Sequence, residues 1–199
     1  MQKVKGNDIV NIIQISGEYI NMKKVLFVFI SLLIIFLQVF PAAVTKHYNN
    51  WKVRTITYNN TDTKTVTMTI KNNNDLEIYI ASRNNQLNIS INWYKENIDE
   101  NSRIEYSFNN DPYKSVEPFM RSSSDKFDIL YTISPAFGII QEKEIIYFFQ
   151  KLVNSKTLSI KPNNYGQQYN IDITGLREAI EKTDFSKTLF EKYKNQILR

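Results

Sequence analysis

From Trp51 onward, apolar side chains recur at every second residue, and no other feature constrains the fold of this chain as strongly. Leu87, Ile89, Ile91 and Trp93 alternate with Asn88, Ser90 and Asn92. Val66, Met68 and Ile70 alternate with threonines and Lys71, and Leu76, Ile78 and Ile80 with Glu77 and Tyr79. Ile104, Tyr106 and Phe108 repeat the pattern, as do Phe127, Ile129, Tyr131 and Ile133. Successive side chains of a strand point to opposite faces, so this period belongs to strands with one face buried and one wet. The breaks carry turn chemistry at Asn59-Asn60-Thr61-Asp62, Asn72-Asn73-Asn74-Asp75, Asn84-Asn85 and Asn109-Asn110-Asp111-Pro112. Asn and Asp tolerate the left-handed backbone that tight connections need. Short, evenly spaced strands point to an antiparallel sandwich or an open barrel-like sheet, and we adopt the β-sandwich. Its expected core contains Val66, Met68, Ile70, Leu87, Ile89, Ile91, Trp93, Tyr106, Ile129, Phe149, Leu152 and Ile171.

Near Glu142 the period changes. Ile145, Phe148, Phe149 and Leu152 fall at helical spacing, with Glu142 and Glu144 leading and Lys151 trailing, as the helix dipole prefers. This predicts a helix over 142–153. A short strand follows at Leu158 to Ile160, and alternation returns at Tyr169, Ile171 and Ile173. Thr174 is placed to cap a helix bearing Leu176, Ala179 and Ile180. A last amphipathic stretch from Ser186 sets Leu189, Phe190, Tyr193 and Ile197 on one side. The class is therefore mainly β with added helices, and no internal repeat is evident.

Ahead of this domain lies an export signal set back from the N-terminus. Met22-Lys23-Lys24, the apolar run Val25 to Phe40 and the exit Pro41-Ala42-Ala43 are the three parts of a secretory signal peptide. Residues 1–21 then read as leader upstream of a start at Met22, because codons for Ser16-Gly17-Glu18 can hold a purine-rich ribosome-binding stretch. The expected organisation is an upstream extension over 1–21, a signal over 22–43 and one exported domain over 44–199. Cleavage after Ala43 puts Pro41 at a position that prefers a small residue. The run 25–44 is also about as long as a membrane-spanning helix requires, so an uncleaved inner-membrane anchor is the alternative. The chain has no cysteine, which excludes a lipoprotein and any disulfide. Roughly 150 residues after processing suffice for one packed domain.

The search for chemistry is largely negative. Charge is interspersed, with 25 basic and 20 acidic residues, and no basic block marks a nucleic-acid footprint. His47 is the sole histidine; it is expected exposed in a mobile lead-in, without the partners that a metal ligand or catalytic base needs. Ser122-Ser123-Ser124-Asp125 reads as a polar turn before the strand at Phe127. Asp99, Glu100 and Glu105 form the nearest carboxylate cluster for glycan cleavage, but they read as a solvated loop and strand edge. Trp93-Tyr94-Lys95 combines aromatic and cationic groups, and alternation places Trp93 in the core with Tyr94 facing out. Asp172, Thr174 and Arg177 suit a local polar contact at a helix start. No catalytic, cofactor-binding or metal-binding residue is assigned, and no cofactor is expected.

Several segments carry a family resemblance: Trp51-Lys52-Val53, the strand Arg103 to Phe108 with Asn109-Asn110-Asp111, Leu158-Ser159-Ile160, and Tyr169 to Leu176 with Ala179-Ile180. Together they are similar to small bacterial envelope β-sandwich domains of the invasion-associated locus B kind and of the type VI secretion-associated VasI kind, although the cysteines of those families are absent here. The resemblance spans Tyr48 to about Asp184. It implies an accessory or virulence-associated envelope protein without catalysis. The expected function is thus an exported, non-enzymatic protein that binds an envelope or secreted protein, with membrane association open to 25–44. A periplasmic inhibitor or ligand-binding module, and a carboxylate-dependent hydrolase, are the alternatives.

Overall fold

A computed structural model of the chain describes Leu26 and residues 41–73, 75–96, 103–122, 126–134, 142–162 and 166–199. The chain divides into two units, Met1–Pro41 and Ala42–Arg199. In the first, only Leu26, helical and exposed, and Pro41 are described. The expected leader over 1–21 and most of the export segment therefore lie outside the described residues. No helix among the described residues is long and apolar enough to cross a membrane.

The second unit is mainly β. Its strands are β1 (Ala42–Tyr48), β2 (Trp51–Tyr58), β3 (Thr63–Asn72), β4 (Leu76–Ser82), β5 (Leu87–Trp93), β6 (Ile104–Phe108), β7 (Lys114–Val116), β8 (Met120–Ser122), β9 (Phe127–Ile133), β10 (Thr157–Lys161) and β11 (Tyr169–Asp172). Helices α1 (Glu142–Asn154), α2 (Leu176–Lys182) and α3 (Leu189–Ile197) complete it. One sheet has seven strands in the order β1-β2-β3-β4-β5-β9-β8, and the other has four in the order β11-β10-β6-β7. Every pairing is antiparallel. The two sheets and the helices share one core. Trp93 meets Tyr169 across it at 6.1 Å between ring centres, and Tyr106 and Tyr131 share a 3.1 Å hydrogen bond. Phe148 of α1 lies edge-on to Tyr106 and Phe108, while Phe149 reaches Phe190 of α3.

The turns follow the expected chemistry. Asp62, Asn73, Asn109 and Asn110 all take positive φ, as does Asn49 in the two-residue turn joining β1 to β2. The helix starts differ from expectation at one place. Gly175, at φ 93°, is the N-cap of α2, whereas Thr174 gives its backbone N–H to Asp172 Oδ1 at 3.0 Å. The reason is a close approach: a Cβ at Gly175 would lie 2.7 Å from the Tyr48 carbonyl oxygen. Around it, Trp51 Nε1 donates to the Ile173 carbonyl at 3.0 Å and Asn50 Nδ2 to the Asp172 carbonyl at 3.2 Å. The β1–β2 turn is thereby bolted to the β11–α2 segment of the other layer.

Two further expectations are corrected. His47 is exposed, but it lies within β1, paired opposite Lys52, and not in a mobile lead-in. Ala42 and Ala43, read as the exit of the export signal, are the first residues of that same strand. Ile129 is only half-buried, although the other eleven expected core residues are buried. The cause is a bulge in β9: Ile89 faces Tyr131 while its neighbour Ser90 faces Ile129, so Leu130 is the extra residue. A bulge of this kind reverses which side chains point inward on either side of it. Asp128 consequently faces the core with no exposure, and Phe127 and Ile129 turn outward.

The buried carboxylate is answered at once. Arg121 of β8, directly opposite it in register, donates from Nε to Oδ1 at 2.6 Å and from Nη2 to Oδ2 at 3.0 Å. Trp93 Nε1 adds a bond to Oδ2 at 2.8 Å. Asp128→Ala removes the carboxylate that meets the Arg121 charge and the indole N–H in the interior, and should cost about 3–5 kcal/mol in chemical denaturation. Gly175→Ala should cost about 1–3 kcal/mol, because both the left-handed backbone and the Tyr48 contact oppose a Cβ.

A second polar tie gives a pH dependence. Lys64 Nζ donates to Asp184 Oδ2 at 2.5 Å and to Ser186 Oγ at 3.0 Å. This hydrogen bond from Lys64, with those from Ser186, holds the Asp184 carboxyl well below its ordinary value of 3.8. The folded-state value is the lower one, so the stabilisation is fully present above the unfolded value and is lost as pH falls below it. Asp184 is largely exposed, so solvent screens its share. Asp184→Asn should lower the thermal midpoint slightly at neutral pH and flatten the profile below about pH 4, where parent and variant converge.

Candidate functional site

The outer face of the seven-stranded sheet is open, and the residues that alternate with the core line it. Register sets them in rows: Glu77, Asn92 and Phe127 in one, and Tyr79, Ser90 and Ile129 in the next. Ala81 and Asn88 form a third, continued by Thr132. Ala81 and Ser90 are small, and between the taller Tyr79, Asn92, Phe127 and Arg83 they leave a depression of about 470 Å³. Without the β9 bulge, Phe127 and Ile129 would point into the core, so the bulge supplies the apolar wall of this site.

The polar groups divide into those already engaged and those free. Glu77 accepts from Tyr94 Oη at 2.6 Å and from Asn92 Nδ2 at 3.2 Å, with Lys71 Nζ at 3.6 Å. Asn88 Oδ1 accepts from Thr132 at 2.6 Å. By contrast, Lys52, Arg54 and Arg83 make no side-chain hydrogen bond or ion pair among the described residues. Partial burial pushes the Tyr79 hydroxyl above its ordinary value, opposed first by the charge of Arg83. Tyr79 thus stays neutral and can both donate and accept. Glu77 is the sole carboxylate among the described residues that line the depression, and its bonds hold it as an anchor for neighbouring side chains. The arrangement suits recognition of a partly acidic, partly apolar surface.

The residues singled out from sequence do not converge here. Glu105 is ion-paired to Lys161 at 2.6 Å on the four-stranded sheet, and Asp99 and Glu100 lie outside the described residues. Ser122 ends β8, while Ser123 to Asp125 are likewise outside them. Trp93 is buried and Tyr94 exposed, as alternation required, and Lys95 pairs with Asp75 at 2.5 Å. Asp172 meets Thr174, but Arg177 turns instead to the Leu198 carbonyl and Asn154 Oδ1. No group of three or more His, Asp or Glu suited to a metal ion occurs among the described residues. Sequence reasoning missed Phe127 and Ile129 as surface residues. The available signal was Asp128, a charge set between apolar neighbours at a strand position.

The bulge can be read out by truncation. Leu130→Ala should cost about 2–5 kcal/mol and Ile129→Ala nearer about 1 kcal/mol, since only the first empties a closed core. Equal losses in urea unfolding would mean that β9 runs in the unbulged register. No protein-family model matches the chain, and neither a curated protein nor a solved structure matches it.

Proposed function

We propose that the chain is an exported, non-enzymatic envelope protein that binds a protein partner through the open face of its seven-stranded sheet, as a secretion-system or virulence accessory. The observation that carries this reading is the set of unengaged cations on that face, Arg83 lining an apolar-walled depression and Lys52 and Arg54 in the same rows two strands away on β2, where the depression's own carboxylate is already bonded. Apolar contact at the centre of a patch with charge around it is how protein interfaces are organised. The sign of the charge selects an acidic partner surface and speeds its approach. Export is supported by the lysine-led apolar segment ahead of Ala42. The resemblance to invasion-associated locus B and VasI-type envelope domains points to the same accessory role.

A small-ligand module is the second reading, favoured by the volume of the depression, which falls within the roughly 300–1,000 Å³ of small-molecule sites. The hydrolase reading has less support. It requires two facing acids, whereas Glu105 pairs with Lys161 and Glu77 is the one acid among the described residues of the depression.

The test places a photocrosslinking residue at Asn92 of the outer face, and a control at Lys192 of α3, in the full chain expressed in its envelope. Adducts should form from position 92 and not from 192. The double reversal Arg54→Glu with Arg83→Glu should lower adduct yield at least tenfold without moving the thermal midpoint by more than a degree or two, because both side chains are exposed. Equal adducts from both positions, or indifference to the reversal, would sink the reading.

A further inference from the structure

β1 stands at one end of the seven-stranded sheet, and among the described residues only β2 pairs with it. Its seven residues run in unbroken register, and Ala42 to His47 are all exposed. The strands at the other sheet ends are shorter: β7 and β8 have three residues each and β11 has four. A free edge offers unpaired N–H and C=O groups to any strand that meets it, and folded proteins guard such edges with shortness, proline or bulges. β1 contains neither a proline nor a bulge.

The turn determines which backbone groups are free. Asn49 and Asn50 form a two-residue connection, so Tyr48 and Trp51 are a hydrogen-bonded pair. Bonded and non-bonded pairs alternate along an antiparallel ladder. Tyr48, Lys46, Val44 and Ala42 therefore turn their backbone groups toward β2. Those of His47, Thr45 and Ala43 point away from it.

We propose that this edge pairs with the same edge of a second copy of the chain, in an antiparallel ladder centred on Thr45. A two-fold axis normal to the sheet makes such a contact self-complementary. Centring on Thr45 sets Thr45 against Thr45 and Ala43 against His47, which engages every outward group of the strand. Centring on Val44 would put His47 opposite Pro41, which has no N–H to give. Centring on Lys46 would set two lysines directly opposite, and like charges so placed repel. In the Thr45 register Lys46 instead meets Val44 of the second copy. Val44 is 55% exposed in the single chain, and the methylene stem of the lysine can cover it.

The outer faces of the two copies then lie side by side on one continuous sheet. Their Arg54 residues, each opposite Thr45 in its own sheet, are three strand spacings apart. That is about 14 Å, beyond the roughly 8–10 Å over which salt leaves exposed charges coupled. Two seven-residue strands fall short of the roughly 1,000 Å² of a stable interface, so the dimer is a reversible one. The pairing uses the backbone of β1 and holds whether or not the outer face binds a partner protein.

The chain has no cysteine, so single introduced cysteines report the register. The experiment oxidises the full chain mildly in its envelope and reads disulfide dimers on a non-reducing gel. Thr45→Cys should cross-link, because opposed residues of a bonded pair have Cα atoms about 5.5 Å apart, within disulfide reach. Val44→Cys and Lys46→Cys should each yield about fivefold less, since each cysteine lies two residues out of line with its own copy. Adding His47→Pro to Thr45→Cys should cut the yield about fivefold and move the thermal midpoint by only a few degrees, because the lost N–H points away from β2. No dimer from position 45, a yield from 44 or 46 that equals or exceeds it, or a dimer undiminished by His47→Pro overturns the proposal. Should the proline variant melt much lower, the comparison of the three cysteines decides alone.

Discussion

Burying the Asp128 carboxylate costs several kcal/mol unless donors meet it at close range, and much of the large sheet is arranged around meeting it. Arg121 can reach it bidentately only if β8 pairs with β9 in the register seen, residue opposite residue. Trp93 can reach it only from the end of β5 that lies against the unbulged part of β9. One charge therefore ties three strands together at the sheet's far edge. It also adds a side-chain tie to the three-residue ladder that pairs β8 with β9. An apolar residue at 128 would fill the space more cheaply, but it would not select this register over one displaced by a residue. Specificity of register is the best-attested service of a buried polar group.

That same interaction explains which parts of the fold were legible in the sequence. Where a strand is regular, period two is a complete instruction: Leu87, Ile89, Ile91 and Trp93 all lie in the core with Asn88 and Asn92 on the outer face. The helix over 142–154 was equally plain, because Ile145, Phe148, Phe149 and Leu152 can share a face only at helical spacing. β9 was misread because Phe127, Ile129, Tyr131 and Ile133 alternate in sequence as if no residue were inserted. A bulge changes the phase without changing the letters. Gly175 shows the second kind of illegibility. Its requirement comes from the Tyr48 carbonyl, distant in sequence, which no local pattern reports. β1 was hidden for a third reason: small and apolar residues at Ala42 to Val44 suit an export-signal exit and an edge strand alike.

The candidate site was illegible for a related reason. Its residues are the wet half of each strand, and in a sequence the wet half carries only the information that it is not core. Asn, Ser, Thr and Lys there are compatible with plain solvation. Register is what converts them into a site, by bringing Glu77, Asn92 and Phe127 into one row and Tyr79, Ser90 and Ile129 into the next. The depression then follows from side-chain size alone, with Ala81 and Ser90 low and their neighbours high.

β2 and β3 bind the two faces of the sheet into one problem. Along β2, Lys52 and Arg54 face outward beside Thr69 and Thr67, while Val53 and Thr55 face inward beside Met68 and Val66. A slip of one residue would carry the outer cations into the core and Val53 into solvent. The turn at Asn49-Asn50 opposes such a slip, because its two-residue length fixes how β1 meets β2. The indole of Trp51 opposes it more firmly, since the buried bond to the Ile173 carbonyl exists in one register only. With Gly175 admitting the Tyr48 carbonyl at close range, the turn is held from the second layer as well as from its own sheet. Any function placed on the outer face therefore depends on residues at the end of the strands that do not touch the site.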